Sequence, residues 1–312
     1  MGKIAFVFPG QGSQAVGMGK LSYEAEPAAR AVFDAADEAL GERLSTLCFE
    51  GPEADLRLTA NTQPALLTVS TALFRALGES PDVVAGHSLG EYSANVAAGT
   101  LPFEQAVTLV RKRGTYMQEA VPVGQGAMAA LIGGDLAAIE LACREASAKG
   151  GAVEAVNYNS PGQVVIAGDA GAVKEITPAL QALGCKVMML PVSAPFHSSL
   201  MKPAEERLTP HLTAAAFAEP RAQIYANVTA APVGGGGEAR DALIRQVSRP
   251  VRWQESVTRM IADGVTLFVE IGAGKVLSGL IRRIDKTASC VNVQGPADLG
   301  PAREAIAKAR GH

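Results

Sequence analysis

The sequence has 312 residues, 48% of them apolar and 19% charged, with a net charge of −3. This composition belongs to a folded, well-packed chain and excludes an intrinsically disordered one. With no basic block and only 5% aromatic residues there is no electrostatic footprint for nucleic acid, and no uncharged apolar run approaches the ~20 residues of a membrane span.

In chain order, Ile4 to Phe8 reads as a short strand broken by Pro9-Gly10-Gln11-Gly12-Ser13, and a strand followed by a Gly-rich turn is a common place to build a site. The opening lacks the small-residue cleavage site of a secretory signal, so a cytoplasmic location is expected. Ala28 to Leu40 has helical spacing and stops at Gly41; Pro64 to Leu77 reads as a second, buried helix ending at Gly78. Pro81 to Ala85 is a strand that runs into Gly86-His87-Ser88-Leu89-Gly90. Glu91 to Ala98 follows as a small-residue helix closed by Gly99, and Leu101 to Ala120 as another, with Pro102 in its first turn.

The rhythm then changes. Ala127 to Ile132 reads as a strand and Leu136 to Ala148 as a helix. Ala152 to Asn157 and Gln163 to Ala167 read as two strands joined by a turn at Asn159-Ser160-Pro161-Gly162. Ala172 to Leu183 reads as a helix and Lys186 to Leu190 as a strand. The order β-α-β-β-α-β is the ferredoxin-like pattern. The expected architecture is α/β: an α/β-hydrolase-like domain with a parallel sheet, built from residues 1–124 and 191–312, carrying a ferredoxin-like insert at residues 125–190. Beyond the insert, Gln223 to Val228 and Thr266 to Ile271 read as strands and Gln254 to Ala262 as a helix. Gly234 to Gly237 reads as a surface loop, and the tail from Pro301 as a terminal helix. The four cysteines, Cys48, Cys143, Cys185 and Cys290, form no C-x-x-C pair and are expected to be small core residues.

Strand, Gly-x-Ser-x-Gly, helix is the pattern of a nucleophile elbow. A tight turn lifts Ser88 out at the end of its strand, and Gly86 and Gly90 remove side chains that would strike neighbouring backbone. The helix start aims N–H groups at the serine, so the N–H of Leu89 can face an oxyanion. Serine needs a base beside it. Of the four histidines, His312 is terminal, His211 lies on a polar segment, and His87, adjacent to the serine, suits packing beside the elbow. That leaves His197, in the turn-rich loop Ser193-Ala194-Pro195-Phe196-His197. None of Asp241, Asp263 and Asp285 sits where a triad acid would, so a backbone carbonyl is an alternative means of holding the imidazole tautomer. Arg113 shares the apolar stripe of Leu109 and Met117. A buried guanidinium needs an anion, either a protein carboxylate or one on a substrate.

Taken together, these residues resemble the malonyl-CoA:acyl carrier protein transacylases of fatty acid synthesis. The resemblance rests on Phe8-Pro9-Gly10-Gln11-Gly12-Ser13-Gln14, Gly86-His87-Ser88-Leu89-Gly90-Glu91, Arg113-Gly114 with Met117-Gln118, Asn157-Tyr158-Asn159-Ser160-Pro161, Pro195-Phe196-His197 and Gly272-Ala273-Gly274-Lys275, and covers nearly the whole chain. It implies that Ser88 is acylated with His197 as base, that the N–H groups of Gln11 and Leu89 form the oxyanion hole, and that the carbonyl of Gln246 orients His197. It implies further that Arg113 grips the malonyl carboxylate and that Phe196, His87, Asn159 and Met117 stand on the substrate side. The ring of Phe196 would fill the space an α-methyl group needs. The implied partners are malonyl-CoA and a phosphopantetheinylated acyl carrier protein, with no metal or redox cofactor and the chain acting as a monomer. The carrier would dock on a basic patch such as Arg282, Arg283 and Lys286. A serine hydrolase or thioesterase, and a non-catalytic scaffold for carrier proteins, are the competing expectations.

Overall fold

The computed structural model describes residues 2–192 and 194–311. His312, set aside above as a base, Ser193 of the histidine loop and Met1 lie outside the described residues. Among the described residues ten strands form two sheets: β1 (Lys3–Phe8), β2 (Val83–Gly86), β3 (Gly126–Ile132), β4 (Val153–Ser160), β5 (Gln163–Asp169), β6 (Lys186–Met189), β7 (Gln223–Ala226), β8 (Ala231–Pro232), β9 (Val265–Ile271) and β10 (Ser289–Val293).

The larger sheet has the order β10-β9-β1-β2-β7-β8. All its pairs are parallel except β7 with β8. β1 lies at its centre, and its residues from Ile4 to Phe8 are buried on both faces, which is why the run is continuously apolar rather than alternating. Ile4, Phe6 and Phe8 join one core cluster and Ala5 and Val7 another. The first cluster includes Leu66 and Leu73 of the helix Thr59–Leu77. The second includes Trp253 and Val257 of the helix Trp253–Ala262 and Ile281 of the helix Val276–Ile284. Helices thus cover both faces of the sheet. The chain leaves β1 and β2 at neighbouring carboxyl ends, and β9 returns on the other side of β1. This is the crevice where ligands bind in open α/β sheets.

The smaller sheet has the order β4-β5-β3-β6 with every pair antiparallel. With the helices Leu136–Ala148 and Ala170–Ala182 it has the β-α-β-β-α-β connectivity expected. One face packs on those helices through Ala129, Leu131 and Ile166. The other presents Met128, Ala130 and Val165 to Phe196 and Val192, so this sheet roofs the segment that carries His197. The Tyr158 N–H donates to the Val251 carbonyl at 2.9 Å and the Val251 N–H to the Val156 carbonyl at 2.8 Å, which ties β4 to the body of the larger domain.

Three local readings of the sequence are corrected. The helix expected from Pro64 begins at Thr59. Proline cannot donate to the carbonyl four residues back, but the Arg111 guanidinium donates to that Ala60 carbonyl at 2.8 Å and allows the helix to continue through Pro64. Asn159 and Ser160 remain in β4, leaving only Pro161-Gly162 as the turn, with Gly162 at φ 69°. Gly236 and Gly237, read as part of a surface loop, open the helix Gly236–Gln246. Gly236 is buried there, and a β-carbon at that position would lie 2.4 Å from the Ala218 carbonyl oxygen, so only glycine fits. Among the described residues no helix is long and apolar enough to cross a membrane.

Candidate active site

β2 ends at Gly86, and the helix Gly90–Ala97 starts four residues later. The turn between them is possible only because both ends are glycine. A β-carbon on Gly86 would lie 2.0 Å from the Gly90 backbone, and one on Gly90 would lie 2.0 Å from the Phe8 carbonyl oxygen. Ser88 takes φ 52°, in the left-handed region that costs a non-glycine residue free energy. Its Oγ lies 2.7 Å from His197 Nε2. His197 is buried, itself at φ 66°, and its Nδ1 lies 2.8 Å from the backbone carbonyl of Gln246. A carbonyl only accepts, so Nδ1 carries the proton and Nε2 offers a lone pair to the serine hydroxyl. Asp241, Asp263 and Asp285 are engaged elsewhere, with Arg240, with Tyr225 and Arg259, and with Thr287. Burial, assisted by the nearby charge of Arg113, holds the His197 imidazole down at about 3 against the hydrogen bond it donates to the Gln246 carbonyl, so it is neutral near pH 7.

The loop after β1 lies against the elbow. A β-carbon on Gly10 would meet the His87 carbonyl oxygen at 2.5 Å, so glycine lets the two turns touch. Gln11, Leu89 and Ser88 line the same cavity, of about 390 Å³. The backbone N–H groups of Gln11 and Leu89 donate to no acceptor among the described residues. Two free amides beside a nucleophile are the elements of an oxyanion hole.

Arg113 comes from the helix Phe103–Glu119 and is 1% exposed. Gly114 brings that helix close to Thr59–Leu77, since a β-carbon there would lie 2.6 Å from the Thr59 carbonyl oxygen. One guanidinium nitrogen donates to Gln63 Oε1 at 2.7 Å; the other donates to Gln246 Oε1 at 2.9 Å and to Ser88 Oγ at 3.1 Å. Its carbon stands 5.5 Å from the Tyr92 ring centroid. Burial lowers its pKa, opposed by Tyr92 and Glu91, and an arginine stays cationic under such a shift. No carboxylate lies within ion-pair distance of Arg113 among the described residues.

Met117, Phe196 and His87 also line the cavity. His87 Nε2 lies 2.8 Å from Asn159 Oδ1, and burial lowers the His87 pKa. Asn159 therefore stands behind His87, while its neighbour Asn157 reaches the cavity wall. His211 lies in the helix Lys202–Ala214, 3.1 Å from both Lys112 Nζ and the Tyr116 hydroxyl, and is not part of the cavity lining. Arg283 donates to Gln163 at 2.6 Å and Arg282 to the Cys290 carbonyl at 3.4 Å, and neither arginine lines the cavity.

Sequence reasoning missed the polar network beneath the elbow. The Gln246 side-chain amide donates to the Ser88 carbonyl at 3.0 Å and to Glu91 Oε2 at 2.7 Å. The same Glu91 oxygen accepts the Asn227 N–H at 2.9 Å. Burial pushes the Glu91 carboxyl up to about 7, against the bonds from Asn227 and Gln246 and the charge of Arg113. The only advance signal was the placement of Glu91 next to Gly90.

A nucleophile elbow at the crevice of a parallel sheet, with a histidine in reach of the serine, is the framework of serine acyl-transfer chemistry. A family model described as an acyl transferase domain matches residues 5–294. The malonyl CoA-acyl carrier protein transacylase of Bacillus subtilis (strain 168) is 48% identical over 303 residues, 96% of each chain. That of Escherichia coli (strain K12) is 48% identical over 309 residues, 97% of this chain and all of the other. Among solved structures, an acyl-carrier-protein S-malonyltransferase from Burkholderia pseudomallei 1710b superposes with a TM-score of 0.93 at 46% identity, covering 97% of this chain and 99% of the other. A malonyl-transacylase in complex with its type II PKS acyl-carrier protein superposes with a TM-score of 0.94 at 45% identity, over 97% and 99%. The chain belongs to the acyl transferase family and, within it, to the malonyl CoA-acyl carrier protein transacylases.

Proposed function

We propose that the protein moves a malonyl group from malonyl-CoA to the phosphopantetheine thiol of an acyl carrier protein through an ester on Ser88. The observation that carries this reading is Arg113: a buried cation with no carboxylate partner among the described residues, lining the same cavity as a serine–histidine pair. A buried guanidinium in this state is poised to bind an anion in a planar, bidentate manner. The free carboxylate of a malonyl thioester supplies that anion on the acyl chain to be transferred.

Ser88 Oγ attacks the thioester carbonyl while His197 Nε2 takes its proton, and the Gln246 carbonyl steadies the imidazolium. The N–H groups of Gln11 and Leu89 hold the oxyanion, each contributing about 3 kcal/mol to the barrier reduction. Coenzyme A leaves as its thiol with the proton from His197. The carrier thiol then attacks the seryl ester by the reverse route, giving ping-pong kinetics. Phe196 and Met117 wall the acyl pocket, Phe196 filling the space of an α-methyl substituent, and Asn159 holds His87 at its edge. Residues 125–190 act as an inserted subdomain that roofs this pocket within a catalytic domain of residues 1–124 and 191–312. The protein works as a cytoplasmic monomer and needs no metal or redox cofactor. Arg282, Arg283 and Lys286 offer a basic surface to the carrier.

The test is single-turnover labelling. Malonyl-CoA is expected to label Ser88, as read by intact mass and peptide mapping, and added holo carrier protein is expected to remove the label and carry it. Label released to water at the same rate without the carrier would instead establish a hydrolase, and no label would establish a scaffold.

A further inference from the structure

Asn227 is fully buried just beyond β7, and no step above uses it. β7 pairs with β2 only as far as Tyr225 with Ala85. Beyond that point the Asn227 side chain takes over the ladder: Oδ1 accepts the Ser88 N–H at 2.7 Å, and Nδ2 donates to the Gly86 carbonyl at 2.7 Å. The two bonds require opposite ends of the carboxamide, so its orientation is fixed. The residue is braced in turn, its own N–H on Glu91 Oε2 at 2.9 Å and its carbonyl accepting the Arg252 N–H at 3.0 Å. Gln246, anchored on the same Glu91 oxygen, holds the Ser88 carbonyl. The side chains of Asn227 and Gln246 thus hold the two backbone polar groups of the nucleophile, both residues bond one buried carboxyl, and the Ser88 carbonyl accepts the Glu91 N–H as well, at 3.0 Å.

We propose that Asn227, braced by Glu91, is a positioning residue for acyl transfer. Its carboxamide keeps Ser88 in the left-handed conformation from which Oγ meets His197. It also occupies the Ser88 N–H, leaving the oxyanion to Gln11 and Leu89. A strained conformation persists only where the surroundings over-determine it, and a shift of about 1 Å in a reacting atom costs on the order of 100-fold in rate. The inference rests on the acyl-transfer reading of the site.

The experiment compares wild type, Asn227→Ala and Asn227→Asp. A serine-reactive fluorophosphonate, run to completion, counts competent Ser88 sites, and quenched-flow mass spectrometry gives the malonylation rate per counted site. Asn227→Ala is expected to be slower by about 100-fold per site, with the malonyl-to-acetyl ratio unchanged because Arg113 is untouched. Asn227→Asp keeps the shape and the acceptor for the Ser88 N–H and is expected to fall between the two; it carries the test alone if the alanine variant does not fold. A per-site rate within about threefold of wild type, or a loss accounted for wholly by fewer competent sites, overturns the clamp. Wild-type protein that takes no malonyl label removes the acyl-transfer reading and the clamp with it. Labelled wild type alongside an unimpaired Asn227→Ala removes the clamp alone.

Discussion

Replacing Arg113 with alanine separates recognition of the substrate carboxylate from the chemistry of the ester. The guanidinium is buried and, among the described residues, without an ion pair, so a malonyl carboxylate would become its anionic contact in the cavity. Removing one partner of a buried, hydrogen-bonded charge pair costs about 2–5 kcal/mol, or roughly 30-fold to 4,000-fold in kcat/KM for malonyl-CoA. Acetyl-CoA has no such carboxylate and loses only the 3.1 Å contact from Arg113 to Ser88 Oγ, a hydrogen bond worth about tenfold. The malonyl-to-acetyl ratio should therefore collapse in single-turnover labelling. The pH profile supplies a second reading. His197 must be neutral to act as base, so activity of the free enzyme is lost as pH falls through a pKa of about 3. Burial is the main cause of that low value and the Arg113 charge the next. Without the charge the imidazole takes up a proton at higher pH, and the acid limb of kcat/KM should move upward while staying below the ordinary histidine value. Equal losses for malonyl and acetyl, with an unmoved acid limb, would refute this account of Arg113.

Gly90→Ala places a β-carbon 2.0 Å from the Phe8 carbonyl oxygen, a backbone atom that cannot swing aside. A loss of about 3 kcal/mol or more is expected, read as a lower urea midpoint together with lost acylation. Glu91 titrates at about 7 when folded, against an ordinary value of 4.5. The folded state therefore holds the extra proton between those values, and Glu91 lowers stability as pH rises through that window. Glu91→Gln should gain on wild type from pH 5 to pH 8 by on the order of 3 kcal/mol in denaturant titrations, and a constant difference across that range would contradict the assignment. Phe196→Ala should raise the methylmalonyl-to-malonyl ratio in labelling, because it opens space at the cavity wall; an unchanged ratio places the selectivity elsewhere.

The fold was largely visible in the residue pattern because its elements end on glycines that the backbone requires. Gly41, Gly78 and Gly99 all take positive φ at helix ends. The helices Lys202–Ala214 and Val276–Ile284 and the strand β10 went unread, and two further readings failed where stop signals are overruled by tertiary contacts. Pro64 reads as a helix start until Arg111 is seen to occupy the freed carbonyl, and Gly234 to Gly237 reads as loop although Ala218 packs too closely for any other residue at 236. The helix hidden there ends in Gln246, so its side-chain connections to Arg113, Ser88 and Glu91 were invisible as well. At the site, Ser88, His197 and Arg113 stood out by their chemistry, Leu89 by its place in the elbow and Gln11 only through the family resemblance, and the structure brings all five to one cavity. Gln63 and Asn227 did not stand out, because a carboxamide has no spacing rule and shows its purpose only through its partners.

The positive φ angles of Ser88 and His197 set folding against chemistry in this chain. Each costs about 1–3 kcal/mol, and glycine would relieve that cost at either position. A variant selected only for resistance to heat would drift toward Ser88→Gly, since the buried, hydrogen-bonded His197 could not be removed without leaving a cavity, and it would fall silent as it hardened. Screens for robust forms of this protein must therefore score turnover alongside melting, or they will enrich the inactive solution.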